Sequence, residues 1–300
     1  MGVSMTDKRN AILNFVRENI RCSDGAMGTQ LMNKGLKSGE CPELASEAAL
    51  KAVHREYLEA GAQILTTNTF GGTAIKLKNY GLASKALEIN ERNTALAREI
   101  AAGNECFVAG DIGPTGEFIE PFGTMSFEEF HEAFSEQIQG LVKGGADLLI
   151  IETMMDLHEA KAAVKASKEH SDLAVIACMT FNKTPQGFRS LTGVDPVTAA
   201  KELEAAGADI IGSNCSLVPA EMAELIAVLR QATTLPVIAT PNAGQPIVVN
   251  GEFTYKLSDT VEKDIETIVR NGANIVGGCC GTTPDFIRMT RGIIDRINKG

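Results

Sequence analysis

The sequence predicts a closed barrel of eight parallel β/α units in a single α/β domain, with an N-terminal helix capping its base. Three observations carry this expectation. Short β-branched or apolar runs alternate along the whole chain with longer alanine- and glutamate-rich stretches of helical period, the pattern of parallel β/α units. Eight such units fit into 300 residues, close to the ~250 typical of a (β/α)₈ TIM barrel. One helix-to-strand joint also recurs, at Ala60-Gly61-Ala62, Gly144-Gly145-Ala146, Ala206-Gly207-Ala208 and Asn271-Gly272-Ala273, where glycine supplies a left-handed helix cap. No Pro-, Gly- and Ser-rich stretch or charge block separates two halves, so residues 1–300 read as one domain. An open, doubly wound sheet is the alternative arrangement of the same units.

The elements follow in order. Residues 7–20 read as the capping helix, with apolar Ile12, Leu13, Phe15, Val16 and Ile20. Strands are predicted over 20–23, 63–67, 106–110, 147–151, 173–179, 209–212, 236–240 and 274–277. The helices that follow them are predicted over 45–60, 84–102, 126–144, 157–170, 196–206, 219–232, 258–272 and 284–297.

Composition narrows the function. Lys plus Arg number 28 against 38 Asp plus Glu, and the resulting charge of −10 repels nucleic acid and anionic lipid. No apolar run approaches the ~18 residues of a membrane span; the candidate at 148–151 stops at Glu152. Met1-Gly2-Val3-Ser4-Met5-Thr6 fits the loose lipidation pattern M-G-x-x-x-[ST], which so short a match reaches by chance, and no secretory h-region follows. A cytoplasmic protein is expected.

Seven cysteines make an odd count in a chain too large for a disulfide scaffold. Cys22, Cys106 and Cys178 lie in apolar segments and read as small buried hydrophobes, and Cys41, before Pro42, reads as a loop residue. Cys215 and the pair Cys279-Cys280 remain. They fall at the C-terminal ends of the sixth and eighth strands, the rim where such barrels place their chemistry. Those strands are one strand apart, so at ~4.8 Å per strand their ends can meet over the axis. Three converging thiolates suit a soft tetrahedral metal, with Zn²⁺ the default, and three protein ligands leave the open position of a catalytic site. A buried pair or a vicinal disulfide is the plainer alternative. Gly277, Gly278 and Gly281 favour the metal, because they permit a sharply turned backbone that a merely buried pair does not need. No C-x-x-C occurs, and His54, His131, His158 and His170 fall in or beside helices as surface or packing residues. Asp156-Leu157-His158 begins a D-x-H-x-x-G corrinoid pattern, but Lys161 stands where it needs glycine.

Six rim segments carry a family resemblance. They are Asp24-Gly25-Ala26-Met27-Gly28-Thr29, Thr67-Asn68-Thr69-Phe70-Gly71, Gly110-Asp111-Ile112-Gly113-Pro114-Thr115-Gly116, Gly212-Ser213-Asn214-Cys215-Ser216, Pro241-Asn242-Ala243-Gly244 and Gly277-Gly278-Cys279-Cys280-Gly281-Thr282-Thr283-Pro284. Together they resemble the homocysteine S-methyltransferase family over about residues 23–294. The second segment sets the chain nearer the homocysteine-binding barrel of cobalamin-dependent methionine synthase than the betaine- or S-methylmethionine-using branches. The resemblance implies zinc-dependent methyl transfer to L-homocysteine, with Cys215, Cys279 and Cys280 as catalytic zinc ligands. Asn242 would supply a fourth ligand while substrate is absent. Recognition of the substrate then needs an anion for its ammonium, for which Asp24 and Glu152 are candidates, and the amides of Gly25 and Ala26 for its carboxylate. Asp111 would orient or hydrogen-bond the substrate, with a structural role in the turn as the alternative. The chain ends at Gly300, just after the eighth helix, so the donor is expected to be methylcobalamin on a separate corrinoid protein, or else a small molecule. A phosphate-binding barrel enzyme and a non-catalytic zinc module are the remaining readings; no lysine at a strand end supports Schiff-base chemistry.

Overall fold

The computed structural model describes residues 5–36, 41–249 and 252–300; Met1 to Ser4, which begin the lipidation pattern, lie outside them. Eight strands are Arg21–Cys22, Ile64–Thr66, Phe107–Ile112, Leu148–Met154, Ala174–Met179, Ile210–Asn214, Val237–Thr240 and Ile275–Val276, called the first to eighth barrel strands below. All pair in parallel and in chain order, and the first strand pairs with the eighth through Arg21–Ile275 and Cys22–Val276. The last seam, between the first and second strands, is closed by a bridge at Ser23–Ile64 and by the Asp24 N–H donating to the Ile64 carbonyl at 3.0 Å. The cyclic order excludes the doubly wound sheet.

Eight helices ring the barrel: Glu47–Glu59, Ala86–Ala101, Phe127–Lys143, Leu157–His170, Pro196–Ala206, Pro219–Ala232, Val261–Arg270 and Pro284–Lys299. Their starts follow local chemistry. Asp156 and Asp195 cap two of them by accepting from backbone N–H groups, and Ser126 and Glu129 form a reciprocal capping box. Short elements lie where the sequence suggested only loops: the helix Met27–Asn33 and the hairpins Asn182–Thr184/Gly187–Arg189 and Pro246–Val249/Glu252–Tyr255. None of the described helices is long and apolar enough to cross a membrane.

The four recurring glycines all take left-handed φ, between +92° at Gly145 and +111° at Gly207. Two residues beyond each, a polar side chain opens an even-numbered strand and accepts a backbone N–H of the strand before it. Gln63 accepts from Cys22 at 3.2 Å, Asp147 from Val108 at 3.0 Å, Asp209 from Val175 at 3.0 Å and Asn274 from Val237 at 3.0 Å. The repeated joint thus builds the barrel as four strand pairs. Two of these carboxylates also anchor the N-terminal helix Met5–Glu18, Asp147 through Lys8 at 3.0 Å and Asp209 through Arg9 at 2.5 Å. Ile12, Leu13 and Val16 of that helix then close the base of the lumen. Asp209→Ala orphans the buried Val175 N–H and strands Arg9 and Lys168, so a loss of about 2–3 kcal/mol is expected in urea unfolding. Glu202→Ala, which breaks a more exposed pair with Lys161, is expected to cost under about 1 kcal/mol.

Inside the barrel, Ile64, Ala109, Leu148, Ile150, Ala174, Ile176, Cys178, Ile210, Ile238 and Ile275 form the apolar lower layers. The period-two alternation continues upward to Thr66, Asp111, Glu152, Thr180, Asn214 and Thr240. The top layer of the lumen is therefore polar. The third, fourth and sixth strands run past their predicted ends, so Asp111, Glu152 and Asn214 are strand residues rather than loop residues. Asp111 pairs with Ile150 and Asn214 with Thr240, whereas Glu152 falls within the register shift between Ile151 and Met154.

Candidate metal centre

Cys215 leaves the sixth strand in a left-handed conformation, φ +61°, followed by Ser216 at +54°. Such backbone costs a non-glycine residue ~1–3 kcal/mol and persists only when its surroundings enforce it. Here the Cys215 N–H donates to the Thr240 carbonyl at 3.2 Å, and the Leu217 N–H closes the turn onto the Cys215 carbonyl at 2.6 Å. Across the rim, Cys279 N–H donates to the Pro241 carbonyl at 2.8 Å and Ala243 N–H to the Cys280 carbonyl at 2.9 Å. The flanking glycines are sterically required. A Cβ on Gly277 would lie 2.0 Å from Ser23 Oγ, one on Gly278 2.4 Å from Thr282 Oγ1, and one on Gly281 2.2 Å from the Tyr255 ring.

These turns bring the three Sγ atoms within 4.8 Å of one another, with Cys215 and Cys280 at 3.8 Å. Tetrahedral coordination at ~2.3 Å per Zn–S bond places sulfurs about 3.8 Å apart. All seven cysteines are free thiols, and Cys22, Cys41, Cys106 and Cys178 are buried away from the cluster. The thiols of Cys279 and Cys280 hydrogen-bond to the Cys215 sulfur and hold it far below the usual thiol range, while the same sharing pushes Cys279 up. One thiolate is thus stabilised by its neighbours; three in this volume require a cation.

Asn242 adjoins the cluster through Cys215. Its backbone N–H donates to the Leu217 carbonyl at 2.9 Å, its side chain hydrogen-bonds to Cys215, and its buried Oδ1 has no partner. Three converging sulfurs beside an orphaned amide oxygen fit a tetrahedral divalent metal of the Zn²⁺ type.

The thiols open onto a cavity of about 600 Å³ that is also lined by Asp24, Gly25, Ala26, Asp111 and Glu152. Asp24 is fixed by Thr66, whose N–H donates to Oδ2 at 2.7 Å and whose hydroxyl donates to Oδ1 at 2.8 Å. Burial nevertheless raises its carboxyl to about 7. Asp111 is buried with Oδ1 unpaired, and burial together with the Glu152 charge pushes it well up. Glu152 rises to about 8, first through burial and then through Cys215 and Asp24. Three carboxylates made costly to ionise at one mouth form a site for a cation.

The backbone cradle is corrected in part. The Ala26 N–H already donates to Thr282 Oγ1 at 3.0 Å, so it is not available to a substrate carboxylate. Gly25 remains, packed so tightly that a Cβ would lie 2.7 Å from Thr282 Oγ1 and 2.9 Å from Tyr57 Oη. The Tyr57 hydroxyl donates to the Ala26 carbonyl at 2.9 Å. Sequence reasoning did not single out Thr66, Tyr57 or Thr282 individually, and Asn214 was noted only as the neighbour of Cys215. Asn214 was findable, since it lies two alternations above Ile210 on the inward face.

Comparison with known proteins covers nearly the whole chain. A family model described as homocysteine S-methyltransferase matches residues 21–294. Methionine synthase of Mycobacterium leprae is 33% identical over 310 residues, covering 96% of this chain and 25% of that protein. Its Mycobacterium tuberculosis counterpart is 32% identical over 309 residues, covering 96% and 26%. The chain thus spans about a quarter of the length of these curated relatives. Among solved structures, the metallated form of the homocysteine methyltransferase MmuM from Escherichia coli has a TM-score of 0.76 at 24% identity, covering 95% of this chain and 99% of that one. At that identity the likeness shows the fold.

Proposed function

The chain belongs to the homocysteine S-methyltransferase family, and from that premise we propose that it methylates the thiol of L-homocysteine to give methionine in the cytoplasm. In this reading Cys215, Cys279 and Cys280 hold Zn²⁺, and methylcobalamin on a separate corrinoid protein is the donor. The observation that carries the proposal is one cavity in which three thiols within 4.8 Å stand beside the buried carboxylates of Asp24 and Asp111 and the half-buried carboxylate of Glu152.

Zn²⁺ held by the three sulfurs, with Asn242 Oδ1 as the exchangeable fourth donor, would supply the acidity that turns a thiol of ordinary pKa ~8.5 into a thiolate at neutral pH. The chain's own residues do the rest. Glu152 and Asp111, each with carboxylate capacity not taken up by protein donors, receive the substrate ammonium. Asp24, already bonded twice by Thr66, adds charge at the floor, and Gly25 N–H is left for the substrate carboxylate. The thiol proton leaves to solvent; the S–C bond then forms as the bond between the methyl group and its carrier breaks. Because a methyl group moves, no general base is needed in that step.

Surface chemistry supports a donor delivered from above. All eight large hydrophobic side chains that stay exposed among the described residues lie in segments joining a strand's C-terminal end to the next helix, Phe122 at 65% and Val248 at 64% among them. They lie on the same end of the barrel as the cavity, which Met32 lines, on an otherwise acidic protein.

X-ray absorption tests the centre. One zinc per chain is expected, with three sulfur neighbours alone and four once homocysteine is added; absent zinc, or a shell unchanged by homocysteine, would overturn the proposal. Methionine formation is then expected to be fastest with a methylated corrinoid protein. Faster turnover with free methylcobalamin, S-methylmethionine or betaine would reassign the donor.

A further inference from the structure

Asn214 ends the sixth barrel strand with its side chain fully buried on the inward face, between two parts of the site. Its Oδ1 accepts the Thr153 N–H at 2.7 Å. That backbone donor fixes which end of the amide is oxygen. Its Nδ2 faces three acceptors: Thr153 Oγ1 at 2.7 Å, Glu152 Oε2 at 3.4 Å and Cys279 Sγ at 3.7 Å. An amide has two N–H groups. One is spent on Thr153 Oγ1, so the other is shared between a carboxylate and a sulfur.

The backbone opposite is irregular for the same reason. Thr153 has φ +60°, and the register between the fourth and fifth strands shifts between Ile151 and Met154. A β-branched residue is strained there, and such a bulge re-aims the side chain beside it, here Glu152. The two bonds from Asn214 hold Thr153 in place.

We propose that Asn214 is a positioning residue that couples Glu152 to Cys279, setting the distance between the substrate's ammonium and the metal-held sulfur. This deepens the proposed function and rests on it. When an ammonium occupies Glu152, the shared N–H is released toward Cys279; when it is absent, the N–H is divided. Homocysteine binding and the electron density on one ligand sulfur are thereby linked.

The test uses the full chain with Zn²⁺ and, separately, Co²⁺ as probes. Asn214→Ala and Asn214→Asp are expected to weaken Zn²⁺ affinity, read by chelator competition, by about 10- to 100-fold, the usual effect of a lost partner to a metal ligand. The sulfur-to-Co²⁺ charge-transfer band is expected to shift. KM for homocysteine is expected to rise at least about tenfold with a smaller change in kcat. A purely structural residue would lower the melting temperature and leave metal affinity and band alone, and that outcome overturns the inference. Should the variants not fold, the wild-type protein decides. Its ¹⁵N-labelled Asn214 side-chain signals are expected to move on Zn²⁺ addition and again on homocysteine addition, and a signal unmoved by homocysteine overturns the coupling. Failure of the proposed function would show differently, as a wild-type protein that binds Zn²⁺ but forms no methionine.

Discussion

Single replacement of Cys215, Cys279 or Cys280 by alanine is expected to strip the protein of zinc and of activity while leaving the barrel folded. The three sulfurs lie within 4.8 Å of one another at the rim, and each is only partly buried. Structural zinc sites bind with apparent free energies of ~10–16 kcal/mol, so loss of one donor in four removes about 3 kcal/mol or more, upwards of 100-fold in affinity. The remaining pair also loses its geometry. Cys215 keeps its left-handed turn in the alanine variant, because the Thr240 and Leu217 backbone bonds that enforce it do not involve the thiol. Cys22→Ala is the control, since that cysteine is wholly buried in the outer core and far from the cluster in role. It is expected to lower stability by ~1 kcal/mol and to leave zinc content unchanged. Metal analysis of purified protein, thermal melts and methionine formation read all four variants. Wild-type zinc content or turnover in any rim variant would remove that residue from the centre.

What the sequence made legible was local or periodic. The helices Leu157–His170, Pro196–Ala206 and Pro219–Ala232 match their predicted bounds residue for residue. Their signals sit within one turn of each end: Asp156 and Asp195 as caps, Pro196 and Pro219 in the first turn, Gly207 at +111° beyond the last. The cysteine convergence was legible too, because strand order alone brings the sixth and eighth strand ends near the axis. What stayed hidden depends on partners far away in the chain. The Ala26 amide is taken by Thr282, 256 positions on, and no local pattern announces that bond. Asp24 looked like a free carboxylate until Thr66 was seen to engage both its oxygens. The hairpin Asn182–Thr184/Gly187–Arg189 was missed although Pro185-Gln186-Gly187 is a turn sequence, because its strands are only three residues long. Asn214 was passed over because an asparagine beside a cysteine has no evident role until Glu152, Thr153 and Cys279 are placed around it.

Glu152→Gln is expected to raise KM for homocysteine by about 30- to 1,000-fold, since removing one partner of a hydrogen-bonded charge pair costs ~2–4 kcal/mol. The isosteric amide keeps the Asn214 contact in shape but offers the ammonium no charge. A second effect runs in the opposite direction. Without substrate, burial raises Asp24 to about 7 and Glu152 to about 8, and pushes Asp111 up as well. A carboxyl whose folded value exceeds its unfolded value near ~4 binds more protons folded than unfolded, so it contributes stability at low pH that is lost as pH rises through the folded value. Metal-free, substrate-free protein is therefore expected to melt progressively lower from about pH 5 to pH 8. In Glu152→Gln this decline is expected to be shallower, leaving the variant more stable than wild type at pH 8 while it binds substrate worse. The two readouts together separate a binding carboxylate from a structural one. A structural Glu152 would lose stability on substitution at every pH, and a wild-type KM or an unchanged melting profile would exclude it as the ammonium's partner. Stability withheld by three crowded acids is what an arriving ammonium restores, so the site binds its substrate with the same charges that make it costly to leave empty.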